Sequence, residues 1–234
     1  MPSCHSTNDI SAELISQEDI PNGTIVITDH QKKGRGQGSN IWESTKGENL
    51  TMSIILTTHF LPVQSQFYLN ILVSLSISDL LMEYLHSGVL IKWPNDIYYK
   101  GKKISGILIQ NILRGNILER SIIGMGINVN QQIFQNEIAI SLKNITGKWY
   151  DLPQVLERLS EILEGYYIDL KDGSFSRLKL LYMKRLMWLN EDHLFQAQGK
   201  FTGRIVDIDN TGRLIIKTGE ELRTFAFKEI KFIM

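Results

Sequence analysis

Residues 89–128 restrict the fold of this chain more than any other stretch. Short runs rich in apolar and β-branched residues predict strands there, at 89–92, 96–99, 103–110 and 117–127. The dipeptide Gly115-Asn116, which precedes the last run, is typical of a two-residue hairpin turn. Because hairpins join antiparallel strands, this pattern favours an α+β fold over a repeated strand–helix–strand fold.

Helices and further strands are predicted around this region. The cluster Ser6-Thr7-Asn8 stands before an apolar-periodic run and predicts a helix that ends near Gln17. The stretch 61–85 is strongly apolar, but Gln, Asn, Asp and Glu interrupt it, which indicates a buried helix rather than a membrane span. Two more helices are predicted at 153–170 and 174–189, and two more strands at 24–28 and 49–57.

The character of the sequence changes after Asn190. Short strands separated by turns follow, the longest predicted at 201–208, and this texture is typical of a small barrel. We therefore predict two domains, 1–190 and 191–234.

Composition excludes some classes of protein. Lys plus Arg and Asp plus Glu both number 25, so the formal net charge is zero and no basic excess points to nucleic acid. The single cysteine, Cys4, cannot form an intrachain disulfide, which fits a reducing compartment. The first residues lack the charged and apolar segments of a signal peptide. We expect a cytoplasmic protein that binds neither nucleic acid nor a membrane.

Residues 31–42 form a glycine-rich stretch that follows a predicted strand. Glycines stand at every second position, Gly34, Gly36 and Gly38, with Arg35 between the first two, and Trp42 ends the stretch. Glycines let the backbone approach a ligand, and successive backbone N–H groups can cradle an anion. The stretch therefore predicts an ordering loop around a phosphate or carboxylate, with an ordinary mobile surface loop as the alternative.

Two other stretches place polar residues inside buried strands. Lys92-Trp-Pro-Asn-Asp96 and Gly101-Lys-Lys-Ile-Ser-Gly106 interrupt strands with charges and a proline, which indicates a polar cleft or, alternatively, an exposed hairpin rim. Gly124 and Gly126 precede Asn128 in a third strand. Glycines there indicate close approach by a ligand or a backbone, or else a β-bulge.

Together these motifs resemble biotin protein ligases in order and spacing, from residue 6 to the end of the chain. The most specific element is Lys-Trp-Pro-Asn-Asp with the glycine–arginine loop upstream. The resemblance implies a mixed, mainly antiparallel sheet backed by helices, of the class II synthetase-like kind. It also implies an SH3-like nature for the small C-terminal barrel.

The resemblance implies an enzyme that joins biotin to ATP, with Mg²⁺, and passes biotin from biotinyl-AMP to one lysine of a biotin carboxyl carrier domain. Two unit charges about 4 Å apart repel by about 4 kcal/mol at an effective dielectric constant of 20, so a carboxylate and a triphosphate need cations between them. The motifs supply Lys103 and Arg35 as catalytic residues, with Lys103 holding the carboxylate and α-phosphate together. Asp96, with Asn95, matches positions associated with nucleotide and Mg²⁺.

The resemblance also assigns ligand contacts. Implied biotin-binding residues are Ser6, Thr7, Asn8, Gln31, Gly34, Arg35, Gly36, Trp42, Lys103 and Gly106. Implied nucleotide-binding residues are Lys92, Trp93, Asn95 and Asn128.

The chain departs from the family pattern in its loop. Gln37 and Asn40 stand where arginines are common, and Ser39 where a glycine is common. We therefore expect the loop to hold the adenylate less by charge. The chain starts at the Ser6-Thr7 helix with no winged helix-turn-helix before it, so we expect no DNA binding. Family members are monomers or homodimers.

Other functions remain open from sequence. One alternative is a lipoate ligase or octanoyltransferase of the same superfamily, against which the Lys92–Asp96 motif argues. Another is a non-catalytic biotin- or nucleotide-binding module.

Overall fold

The computed structural model describes residues 1–17, 19–38 and 40–233. Within them the chain runs through the following helices and strands: α1 Thr7–Gln17, β1 Thr24–Ile27, β2 Leu50–Thr57, α2 Phe67–Leu85, β3 Val89–Lys92, β4 Asp96–Tyr99, β5 Lys102–Arg114, β6 Ile117–Ile127, α3 Leu142–Thr146, α4 Leu152–Lys171, α5 Phe175–Lys184, β7 Asp192–Gln196, β8 Lys200–Ile208, β9 Leu214–Thr218, β10 Glu221–Phe225 and β11 Lys231–Phe232. A 3₁₀ turn, Val63–Ser65, precedes α2.

The first part of the described chain forms a six-stranded main sheet in the order β1-β2-β6-β5-β4-β3. Each neighbouring pair is antiparallel, as the hairpin pattern predicts. Among the described residues, parallel pairing is limited to isolated bridges such as that between Ile91 and Leu186. The α+β class is therefore confirmed, with the antiparallel component dominant.

The two faces of the main sheet differ in chemistry. In β2, Leu50, Met52, Ile54 and Leu56 belong to the hydrophobic core, whereas the alternate residues Thr51 and Ser53 do not. Side chains alternate between the faces of a strand, so one face of β2 is apolar and the other carries hydroxyl groups. The apolar face packs with α2 and α4, and the hydroxyl-bearing face meets α1. We call the second face the ligand face.

Helix α2 is the central element of the core. Twelve of its residues are buried, among them Leu72, Leu75 and Leu80 with no exposed surface. Val63–Leu85 is long and apolar enough to cross a membrane by length and composition, but 67% of its apolar 18-residue stretch is buried inside the protein. The predicted burial of this helix is confirmed.

The C-terminal part of the described chain forms a second, five-stranded antiparallel sheet in the order β10-β9-β8-β7-β11. Its interior is aromatic: Phe195 stacks on Phe201 at 5.9 Å and meets Phe232 edge to face at 5.3 Å. We call this unit the barrel. The division of the chain at residue 190 stays a prediction.

Two contacts fix the barrel to the main sheet. The Trp93 indole Nε1 donates a hydrogen bond to the carbonyl oxygen of Gly212 at 2.9 Å, and both groups are buried there. Gly212 has a φ of +87°, and a Cβ at this position would lie 2.6 Å from the Cβ of Phe67. The turn between β8 and β9 therefore reaches α2 because it carries no side chain at Gly212.

The last predicted helix was too long. The sequence predicts it to residue 189, but α5 ends at Lys184. Ile91 donates its backbone N–H to Arg185 and accepts one from Met187, so the chain after α5 extends the edge of β3 instead. Helix α3 was not predicted, although Ser141 caps it by accepting from the Asn144 N–H.

Replacing Gly212 by alanine should destabilise the protein by about 1–3 kcal/mol, the usual cost of overpacking, since the added methyl group overlaps the Phe67 ring. Chemical denaturation measures the change. Gly219→Ala is the matched control because its φ is also positive, +61°, with no atom within 4 Å of an added Cβ. Equal losses in the two variants would show that φ, and not contact with α2, sets the cost.

Candidate active site

A cavity of about 530 Å³ opens on the ligand face of the main sheet. Its walls come from the start of α1, the glycine loop (residues 31–42), strands β2 to β6 and the C-terminal segment of the barrel (residues 226–233). The predicted site residues that line it are Ser6, Thr7, Asn8, Gln31, Arg35, Gly36, Trp42, Lys92, Trp93, Asp96, Lys103 and Gly106.

The floor of the cavity is a row of small residues set by strand register. Gly126 of β6 pairs with Thr51 on one side and Gly106 on the other. The indole of Trp42 lies across this row: a Cβ at Gly106 would be 2.9 Å from Trp42 Cζ3, and a Cβ at Gly126 would overlap the ring. The glycines are therefore explained by close approach of an aromatic side chain, whereas the sequence had suggested a ligand, a backbone or a β-bulge.

One end of the cavity is polar and uncharged. Gln31 Oε1 accepts from the Thr7 N–H at 2.8 Å and lies 3.2 Å from Thr7 Oγ1. Ser53 Oγ lies 2.7 Å from Thr7 Oγ1 and 2.6 Å from Asn8 Oδ1, and Asn8 Nδ2 donates to Gln110 Oε1 at 2.8 Å. These mutual bonds fix the side chains before any ligand arrives.

Both polar atoms of the Asn8 side chain are hydrogen-bonded within this network. A Cβ at Gly124 would overlap the Asn8 carboxamide oxygen, so the second strand glycine makes room for Asn8. Asn8 therefore joins α1 to β5 and β6 while it lines the cavity.

The other end of the cavity is charged. Lys103 Nζ lies 2.7 Å from Asp96 Oδ1, with both side chains about one quarter to one third exposed. A register shift between Ile97 and Tyr98 leaves Ile104 as the extra residue of a bulge in β5. Because a bulge re-aims side chains, Lys103 and Gly106 share the ligand face although they are an odd number of residues apart.

Lys92 stands beside this pair. Its Nζ lies over the rings of Tyr98 at 5.1 Å and Phe232 at 5.4 Å. Burial lowers the pKa of Lys92 below its usual value and the nearby Lys103 adds to that effect, whereas Asp96 opposes it. Burial and the Asp96 carboxylate raise the pKa of Tyr98 to about 12, so its hydroxyl stays neutral at physiological pH.

The described cavity wall is strongly cationic although the whole chain has no formal net charge. Its cationic residues and its single carboxylate are Arg35, Lys92, Lys103, Lys228 and Lys231 against Asp96. A low-dielectric cleft of one charge sign favours a ligand of the opposite sign. The arrangement is suited to an anion with several negative charges.

The glycine loop folds over the mouth of the cavity as a closed hairpin. The Trp42 N–H donates to the Gly34 carbonyl at 3.0 Å, and the Gly36 N–H to the Asn40 carbonyl at 2.8 Å. The Arg35 guanidinium lies 2.7 Å from Asp9, and its side chain is 55% exposed. Ser39, one of the departures noted from sequence, lies outside the described residues.

The indole Nε1 of Trp42 is buried and has no hydrogen-bond partner among the described residues. Buried donors are normally satisfied, so this group marks a place where an acceptor from a ligand would be stabilised. It lies over Gly126, between the polar and the charged end of the cavity.

Metal ligands are sparse in this structure. Residues 1–17, 19–38 and 40–233 contain no group of three or more His, Cys, Asp or Glu side chains that would hold a metal ion. Mg²⁺ is nevertheless commonly held by one or two carboxylates together with substrate phosphates. Asp96 beside several cationic side chains of the cavity wall fits that mode of binding.

Three predicted residues do not line the main cavity. Gly34 supports the loop, where an added Cβ would overlap the Trp42 carbonyl oxygen. Asn95 donates to Asn70 Oδ1 at 2.6 Å and lines a second, smaller cavity of about 270 Å³. Asn128 donates to the Ile140 carbonyl at 3.1 Å, while its own Oδ1 is buried without a partner among the described residues.

The barrel contributes residues that sequence reasoning missed. Phe227, Lys228, Ile230, Lys231 and Phe232 line the cavity. No local pattern marks them as site residues, because their role depends on how the barrel docks. Thr51 and Ser53 on the ligand face were also missed, although hydroxyls alternating with apolar residues in β2 were a visible signal.

Comparisons with known proteins agree with this geometry. The model of the biotin/lipoate A/B protein ligase family matches residues 1–128, and that of the biotin protein ligase C-terminal domain matches residues 195–231. The solved structure of the biotin protein ligase of Aquifex aeolicus in complex with biotin and ATP superimposes with a TM-score of 0.82 at 29% identity, covering 99% of this chain and 96% of that one.

Curated relatives give the same result. The chain is 32% identical over 232 residues to the bifunctional ligase/repressor BirA of Bacillus subtilis, covering 97% of this chain and 71% of that protein. It is 28% identical over 223 residues to the biotin–[acetyl-CoA-carboxylase] ligase of Mycobacterium tuberculosis, covering 92% and 80%. With more than half of its residues matched by one family model and a fold shared along nearly its whole length, the chain belongs to the biotin/lipoate A/B protein ligase family.

Proposed function

We infer that this chain is a biotin protein ligase, which uses ATP to attach biotin to a lysine of a carrier protein through biotinyl-AMP. One observation carries the inference: a single cavity has a preformed, uncharged hydrogen-bonding end and a cationic end, separated by Trp42 on a floor of glycines. This suits a substrate with a neutral polar ring, an apolar chain and a carboxylate that must meet a triphosphate.

The polar end binds the ureido ring of biotin. Ser6, Thr7 and Gln31 supply the hydrogen-bonding groups, and the network through Ser53 and Asn8 holds them in place. Trp42 walls the valeryl chain against Gly106 and Gly126. Because these polar groups are already ordered, binding does not lose free energy in ordering their side chains.

The charged end carries out the first step. A carboxylate oxygen of biotin attacks the α-phosphorus of ATP, the bond to the bridging oxygen breaks, and pyrophosphate leaves. Lys103 stabilises the negative charge shared by the carboxylate and the α-phosphate, with Arg35 as the second cation at the loop. Lys92 and Trp93 line the same cavity, and we assign them to the nucleotide.

Mg²⁺ belongs at Asp96, where it would neutralise charge on the phosphates. In this structure the Asp96 carboxylate binds the ammonium group of Lys103. The same carboxylate would bind Mg²⁺ when the nucleotide is present. Asn95 lies one residue away and faces the second cavity.

The second step needs no nucleophile from this chain. The amine of the carrier lysine attacks the acyl carbon of biotinyl-AMP, an amide forms, and AMP leaves with the bonding electrons while the amine proton passes to solvent. The partner is the biotin carboxyl carrier domain of a biotin-dependent carboxylase. We propose a cytoplasmic enzyme that acts as a monomer or homodimer.

Biotin-dependent exchange of pyrophosphate into ATP tests the function. Exchange with biotin and none with lipoate is expected. Exchange with lipoate alone would identify a lipoate ligase instead, and biotin binding without transfer to a carrier domain would identify a binding module.

Lys103→Ala should lower the rate of adenylate formation at least about 100-fold, the effect of removing one group that stabilises a transition-state charge. Lys102→Ala is the control, because Lys102 is exposed at the start of the same strand. Both variants should keep the unfolding midpoint of the wild type within a few degrees. A Lys103→Ala enzyme with near-normal exchange would exclude this role for Lys103.

Gly126→Ala should weaken biotin binding at least about tenfold, because the added methyl group displaces the Trp42 indole from its position against the sheet. Isothermal titration with biotin measures the effect. Gly165→Ala in α4 is the control, since no atom lies within 4 Å of its added Cβ, and it should leave biotin affinity unchanged. Unchanged affinity in Gly126→Ala would show that Trp42 does not wall the biotin site.

Gln37→Arg should slow release of biotinyl-AMP, because it adds a positive charge at the tip of the loop that covers the cavity. Stopped-flow dissociation of the preformed adenylate measures the rate, and Gln37→Met controls for side-chain bulk. An off-rate equal in Gln37→Arg and wild type would remove charge at this position as a determinant of retention.

A further inference from the structure

The C-terminal segment of the barrel presents Lys228 in an unusual backbone conformation. Lys228 has a φ of +71°, a region that non-glycine residues seldom adopt. A turn around it maintains this conformation: the Glu229 N–H donates to the Ala226 carbonyl at 3.1 Å, and the Ala226 N–H donates to Glu229 Oε2 at 2.7 Å. Local strain is retained when the surrounding structure holds it, and it is concentrated at ligand-contacting positions.

The Lys228 side chain reaches the tip of the glycine loop. A Cβ built on Gly38 would lie 3.4 Å from Lys228 Nζ and 3.8 Å from Lys228 Cε. Gln37, next to Gly38, lines the same cavity as Lys228. The loop tip and the ammonium group are therefore neighbours across the mouth of the cavity, although they are about 190 residues apart in sequence.

Two of the other cavity cations, Arg35 and Lys103, are paired with carboxylates in this structure. Arg35 is the only cationic residue of the sequence 34–42, and its guanidinium is bound to Asp9. Lys103 is bound to Asp96. Within residues 1–17, 19–38 and 40–233, no carboxylate oxygen lies within 4.0 Å of Lys228 Nζ, which instead lies 5.9 Å from the centre of the Phe227 ring.

We propose that Lys228 is a phosphate-binding residue of this enzyme, supplied by the barrel, which contacts a phosphate of the bound nucleotide beneath the loop tip. It thereby provides the positive charge that Gln37 and Asn40 do not supply and ties the closed loop to the barrel. The proposal rests on the proposed function, because it names a further contact of the same site. The ligand group is a phosphate, of ATP or of the adenylate.

The experiment compares Lys228→Ala with Lys217→Ala in the full-length chain. Lys217 is exposed on β9 of the same barrel and does not line the cavity, so its loss controls for a general change in barrel charge. Two quantities are measured: the KM for ATP in adenylate formation and the rate of biotinyl-AMP release. Biotin affinity without nucleotide is measured alongside, since a contact with phosphate leaves it unchanged.

We expect Lys228→Ala to change at least one of these quantities about fivefold or more, with Lys217→Ala equal to wild type. A raised KM alone assigns the contact to the triphosphate, and faster release assigns it to the adenylate phosphate. Lys228→Arg should restore the wild-type value, and the difference between Lys228→Ala and wild type should shrink at high salt because an ionic contact is screened.

A second-site variant tests the link to the loop. Gln37→Arg should slow adenylate release more in the Lys228→Ala background than in the wild type, because two neighbouring groups that serve one ligand are not additive. Additive effects would contradict a shared phosphate.

The outcomes separate the two proposals. If the wild type forms biotinyl-AMP but Lys228→Ala matches Lys217→Ala in both quantities, the role of Lys228 is wrong and the proposed function stands. If Lys228→Ala also loses biotin affinity in the absence of nucleotide, the residue is structural and the proposal is wrong. If the wild type forms no adenylate from biotin and ATP, both proposals fail.

Discussion

The register between β5 and β6 is the constraint on which the site depends. It places Gly106 opposite Gly126 on the ligand face. The Trp42 ring occupies the space that side chains at these two positions would fill. A slip of β6 by one residue would move the side chain of Met125 from the hydrophobic core to the ligand face and put a glycine in its place. The bulge at Ile104 then reverses the alternation once, and this brings Lys103 to the ligand face beside Asp96. Sheet geometry therefore sets both the space for the substrate and the position of Lys103, the main cation of the site.

The two ends of the cavity use opposite strategies. At the polar end, hydroxyl and amide groups bond to one another, so recognition of a neutral ring costs little reorganisation. At the cationic end, burial lowers the pKa of Lys92, so its charged form is less favourable there than in water, and the Asp96 carboxylate opposes this effect. A bound phosphate would oppose it further. Part of the electrostatic cost of burying this ammonium group is therefore offset when the nucleotide binds.

Much of this could be predicted from sequence, because the decisive signals are local. Hairpin turns and alternating runs predicted β3, β4 and β6 with the observed bounds, and the motif residues converge on one cavity. What failed depends on distant contacts. The chain after Lys184 leaves the helix because it pairs with Ile91, and Trp93 is bonded to the barrel as well as lining the cavity. The sequence alone could not show these contacts, nor the approach of Lys228 to Gly38.

The barrel is part of the catalytic cavity and not an appendage. Trp93, one residue after Lys92, donates to Gly212 in the barrel, and Phe232 of the barrel covers the Lys92 ammonium group. Undocking would break the first contact, expose Lys92 to water and withdraw Lys228 from the loop tip. The affinity of the site for phosphate and the docking of the barrel are therefore linked, since whatever favours one favours the other. A glycine loop with few charges can close over an anion in this chain because the opposite wall carries them.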